Sequence, residues 1–88
     1  MEYIISLNIP EKSKRALTAI VRATKEGKGL TTYEVLRAGD WGTIALLYQY
    51  SAVWVAHEWV RKEKSLGGKT VFFANLNNLR ISPEEAGI

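Results

Sequence analysis

The run Trp59-Val60-Arg61-Lys62-Glu63-Lys64-Ser65-Leu66-Gly67-Gly68-Lys69-Thr70-Val71-Phe72-Phe73-Ala74 reads as strand, tight turn, strand. Its second arm is built of β-branched and aromatic residues, and the Gly67-Gly68 pair supplies the backbone freedom that a short hairpin connection needs. Four cations, Arg61, Lys62, Lys64 and Lys69, share this hairpin with one acid, Glu63. A single lysine on a hairpin edge does no more than discourage unwanted strand pairing. Four together favour a polyanion, whose condensed counterions they displace.

Working outward, the segment from Thr43 to about His57 predicts a helix, and Gly39-Asp40-Trp41-Gly42 before it is a turn by composition. In Thr31-Thr32-Tyr33-Glu34 a threonine stands three residues ahead of a glutamate, so Thr31 caps a short helix running to about Ala38. From Glu11 to about Lys25, Ala16, Leu17, Ile20, Val21, Ala23 and Thr24 fall on one side, opposite Lys14, Arg15, Thr18, Arg22 and Lys25. That spacing is an amphipathic helix, with Pro10 at its start and Gly27-Lys28-Gly29 closing it. Residues 2–9 alternate through Tyr3, Ile5, Leu7 and Ile9 and predict a short edge strand stopped by Pro10. Beyond the hairpin, Leu79 to Ile81 fits a short strand, and Ser82-Pro83-Glu84-Glu85 is a helix-start signal with little chain left to use it. With no repeat or linker, the reading is one α+β domain over residues 1–88.

Composition narrows the chemistry. Apolar residues make up 47% of the 88 and charged residues 24%, which fits a folded globular domain and not a disordered one. Without cysteine there is no disulfide framework, thiolate nucleophile or finger-type zinc site. His57 is the one histidine; it starts no zinc-peptidase spacing and finds no nucleophile to serve, so neither a metal, a cofactor nor an enzyme is expected. Nothing points to a small-molecule substrate. Gly67-Gly68-Lys69-Thr70 resembles the end of a phosphate-binding loop, but Glu63 stands where that loop begins and a strand follows where it needs a helix. The N-terminus lacks the marks of a secretory signal, so a cytoplasmic protein is expected. The uncharged run from Trp41 to His57 carries Gly42, Thr43, Gln49 and Ser51, which favour a buried helix over a membrane span.

A short helix, a glycine-containing turn, a second helix and then a basic hairpin is the order of a helix-turn-helix followed by a wing. On Gly29-Leu30-Thr31-Thr32-Tyr33-Glu34-Val35-Leu36, on the hairpin, and on Leu79-Arg80-Ile81-Ser82-Pro83-Glu84, the chain resembles the winged-helix family. The likeness is greatest to the small MarR-like and PadR-like regulators and to single-domain winged-helix proteins of archaea and their viruses. It covers roughly residues 11–84 in pattern and spacing. It implies a three-helix bundle with a hairpin wing and a role in transcription regulation on double-stranded DNA. Arg61, Lys62, Lys64 and Lys69 would lie along the backbone or a minor groove, Thr31, Thr32 and Tyr33 at the start of the second helix would hold a phosphate, and Thr43, Gln49 and Ser51 would come from the recognition helix. Charge agrees: residues 11–28 carry six basic and two acidic residues, within a chain of net charge +3.

The third helix resists that role. Ile44, Ala45, Tyr48, Ala52, Val55, Ala56 and Trp59 form one apolar face, assigned to the core, and Leu46, Leu47, Tyr50, Val53 and Trp54 form a second one opposite. Base edges call for Arg, Asn, Gln or Lys, and only Gln49 is offered. The second apolar face needs a cover, so a homodimer through Leu47, Tyr50 and Trp54 is expected. The competing reading is a protein-interaction module that docks through this helix.

Overall fold

The computed structural model describes residues 10–77. The order is α1 (Glu11–Lys25), β1 (Leu30–Thr31), α2 (Thr32–Gly39), α3 (Ile44–Ala56), β2 (Val60–Lys64) and β3 (Thr70–Ala74). Three helices and a three-stranded antiparallel sheet of order β1-β3-β2 make an α+β fold. The strand expected over residues 2–9 and the signals from Leu79 onward lie outside the described residues.

α1 buries the stripe its sequence marks: Ala16, Leu17, Ile20, Val21 and Ala23 turn inward, while Arg15, Arg22 and Lys25 face solvent. Ser13 and Thr18 are buried with the stripe. The helix packs on α2 and on β3. Thr24 ties it to the sheet, its hydroxyl donating to the Ile20 carbonyl at 2.8 Å and accepting the Ala74 N–H at 2.9 Å. That N–H would otherwise lack a partner in a partly buried place.

All three helices end in one way. The Lys28 N–H reaches the Ala23 carbonyl, that of Trp41 the Leu36 carbonyl and that of Trp59 the Trp54 carbonyl, at 2.8, 3.2 and 3.0 Å. In each case the residue before turns left-handed: Gly27 at φ 78°, Asp40 at φ 56° and Glu58 at φ 59°. This is the Schellman closure, which satisfies the last carbonyls and bends the chain sharply. It sends the chain from α1 to β1, from α2 into the turn before α3, and from α3 to β2. Only α1 carries the glycine that makes such a closure readable in sequence.

β1 is two residues long, pairing Leu30 with Phe72 and Thr31 with Val71. A side chain at Gly29 would run into Val71 and Phe73, so the bare backbone there is what lets the strand join the sheet. β2 and β3 pair from Val60↔Ala74 to Lys64↔Thr70, closed by the Ser65 N–H on the Lys69 carbonyl at 2.9 Å and by Gly68 at φ 80°. By the pleat, Val60, Phe72 and Ala74 share the core face with Lys62, Lys64 and Thr70, the latter three standing nearer the turn. Arg61, Glu63 and Phe73 occupy the other face.

α3 faces the opposite way from the sequence expectation. Trp41, in the turn before it, is buried, stacks on Tyr50 at 5.5 Å between ring centroids and meets Trp54 at 5.8 Å with the rings tilted by 45°. Gly39 makes room, because any side chain there would meet the Trp41 ring. Leu47, Ser51 and Trp54 consequently turn inward, and α3 leans on β2 with a lesser contact to α2. The dimer surface expected from Leu47, Tyr50 and Trp54 is therefore corrected: Leu47 and Trp54 lie in the core, and Tyr50 is half-buried against it. Size decides the matter, since Leu, Tyr and Trp remove more apolar area from water than Ala45, Ala52 and Ala56 would. Among the described residues, no helix is long and apolar enough to cross a membrane.

Candidate nucleic-acid interface

The start of α2 is held by a reciprocal cap. The Thr31 hydroxyl accepts the Glu34 N–H at 3.3 Å, and the Glu34 carboxylate accepts the Thr31 N–H at 2.9 Å. Hydrogen bonds from the Thr31 N–H and then its hydroxyl, with a lesser contribution from Arg37, hold the Glu34 carboxyl below its ordinary value. The box satisfies the cap N–H and the third helical N–H; those of Thr32 and Tyr33 precede the first intrahelical bond and have no acceptor within the helix.

Against this helix start lies the turn end of the hairpin. A groove of about 310 Å³ is lined by Thr31, Thr32, Tyr33, Tyr48, Lys69 and Thr70, with Ile44 at its side. Four of the residues expected from sequence thus meet at one place: Thr31, Thr32, Tyr33 and Lys69. Lys62 lies beside it, its ammonium 5.5 Å from the centroid of the Tyr48 ring and 5.5 Å from that of Phe72. Lys64, two residues on, shares its face of the sheet and is exposed. Lys62, Lys64 and Lys69 have no acidic partner among the described residues.

The remaining expected residues divide. Arg61 is turned to the far face of the sheet, where it pairs with Glu63 at 2.5 Å, donates to the Asn75 side-chain Oδ1 at 3.4 Å and sits 4.8 Å over the Phe73 ring. It does not join the lysines. Ser51 is fully buried and its hydroxyl donates to the Tyr48 carbonyl at 3.2 Å, so it is removed from any interface. Thr43 caps α3, accepting the Leu46 N–H at 3.4 Å. Gln49 is exposed on the outward side of α3, among Ala45, Ala52 and Val53. No polar side chain but Gln49 stands on that side between Ile44 and Ala56.

Tyr48 lines the groove although the sequence pattern assigns it to the core. Its signal was there: a tyrosine carries a polar tip that a dry core must satisfy, and the Ala45-Ala52-Ala56 stripe beside it offers little area to bury. Among the described residues no cluster of His, Asp and Glu is placed to hold a metal ion. Comparison of the chain with family models, with curated proteins and with solved structures yields no match.

Proposed function

We propose that this is a winged-helix DNA-binding domain, a small transcription regulator that holds the duplex mainly by its phosphates. The observation that carries the reading is the placing of Lys69 in the groove at the start of α2, with Lys62 beside it over Tyr48 and Lys64 on the same face of the sheet as Lys62, none of the three in an ion pair among the described residues. Cations gathered on one face are what counterion release rewards, and first-turn N–H groups add fixed partial charge. α2, the turn 40–43 and α3 then serve as the helix-turn-helix, with the β2–β3 hairpin as wing. Because α3 presents only Gln49 to base edges, the grip tolerates many sequences.

The test is fluorescence anisotropy on two unrelated duplexes. Replacing Lys62, Lys64 and Lys69 together by Glu lowers affinity for both about tenfold or more and by the same factor. Arg61→Glu, on the other sheet face, lowers it far less. Undiminished binding by the triple variant refutes the assignment.

A second reading concerns assembly and rests on the outward side of α3. Leu46 is 41% and Val53 48% exposed there, on the flank turned away from Lys62 and Tyr48. No charge lies between Ile44 and Ala56, so this is a surface on which two copies of a chain of charge +3 approach with little repulsion. A homodimer across α3 follows, on Leu46 and Val53 in place of Leu47 and Trp54; it covers Gln49, which lies between them, and leaves the phosphate grip of the lysines as the whole contact with DNA. Light scattering at tens of micromolar gives a dimer for the native chain and a monomer for Val53→Asp; a native monomer refutes it.

A further inference from the structure

The groove beside the wing carries chemistry that phosphate binding does not use. Tyr33, at the start of α2, is 67% exposed, and Tyr48, on α3, is 50% exposed. Both rings line the same space of about 310 Å³, with Lys69 and Thr70 on its hairpin wall. Two large rings left half in water forgo the burial that drives aromatic residues inward, and in one groove they form a stacking platform. Lys62 stands over the Tyr48 ring, placing a cation at the edge of that platform.

These parts are what binds an unstacked nucleobase: π faces that accept any base, with cations alongside for its phosphate. They are not what reads paired base edges, which needs directed donors and acceptors, and α3 supplies little of that chemistry. We infer that the Tyr33–Tyr48 groove takes an unpaired DNA base, stacked on a tyrosine with its phosphate toward Lys62 and Lys69. The inference rests on the DNA-binding reading above and narrows it to duplexes carrying an extrahelical base. Negative charge on the ligand and positive charge on the groove wall match; the flank of α3 that bears Leu46 and Val53 takes no part.

The experiment compares two labelled probes, a mixed-sequence duplex and the same duplex with one extrahelical thymine. The native protein binds the second more tightly, by between about fivefold and about a hundredfold. Tyr33→Ala with Tyr48→Ala brings the ratio of the two affinities to about one, whereas Tyr33→Phe with Tyr48→Phe keeps it, since stacking needs the ring and not the hydroxyl. Because the readout is a ratio within each variant, a general loss of affinity does not imitate the effect. Equal binding of both probes by the native protein, or a preference that survives the alanine pair, overturns the inference and leaves the phosphate grip standing. Failure to bind either probe overturns the DNA-binding reading itself.

Discussion

α1 and α3 are of similar length, 15 and 13 residues, and are oriented by different means. In α1 the apolar residues form one stripe opposite Arg15, Arg22 and Lys25, so the helix itself specifies which side goes in. α3 has no charged residue, and apolar side chains stand all the way around it. Its inward side is chosen from outside, by Trp41 packing against Tyr50 and Trp54 and by the bulk of Leu47. A helix without a preferred side is free to be covered twice, once by its own core and once by a partner. That freedom is what leaves Leu46, Tyr48, Val53 and Val55 exposed.

The contrast is most open to test within α3. Trp54→Ala removes about 3–5 kcal/mol from the stability measured by urea unfolding, because the residue is 1% exposed and its ring packs against Trp41. Val53→Asp, one residue away, changes it by about 0.5 kcal/mol or less when unfolding is followed at concentrations where the native chain is monomeric. If the two variants lose alike, or Val53 proves the costlier, α3 is turned the other way. The helix ends give the next effect. Gly27→Ala destabilises by about 1 kcal/mol, since its φ of 78° suits only glycine well. Glu58→Gly does the reverse, stabilising by about 0.5–1 kcal/mol at the equivalent position of α3, where φ is 59°. Calorimetry resolves both; an unstable Glu58→Gly would mean that the glutamate side chain holds the corner.

The smallest effect is in the α2 cap. Glu34 has its folded pKa lowered by the Thr31 hydrogen bonds, so its contribution is present above its ordinary value of 4.5 and disappears as the pH falls through the lower, folded value. Glu34→Gln keeps an acceptor for the Thr31 N–H and carries no titrating group. The acid limb of its stability curve is therefore flatter than that of the native chain; identical limbs would remove the cap from the account.

Much of the architecture was legible because it is written in local chemistry. The Thr31–Glu34 box, the α1 stripe and the Gly67-Gly68 turn each act within a few residues, and each is found where the sequence places it. β1 was not legible, because two residues carry no period and its existence depends on Gly29 admitting the backbone beside Val71 and Phe73. The turn over 39–42 was legible from its composition, but the left-handed residue within it, Asp40, and the corner at Glu58 were not, because neither is the usual glycine. Among the site residues, Thr31, Thr32 and Lys69 converge as their positions in the wing pattern implied. Arg61 and Ser51 did not, for one reason: charge or polarity in a sequence does not say which side of a strand or helix it will occupy until the register is known.

The central claim is that Lys62, Lys64 and Lys69 neutralise DNA phosphates. It is tested most directly by the slope of log affinity against log salt on a mixed-sequence duplex. Charge removal at these three lysines makes that slope shallower by about 2 to 3, at about 0.9 for each phosphate no longer neutralised, and Arg61→Gln leaves it almost unchanged. A slope that is the same with and without the three lysines contradicts the account.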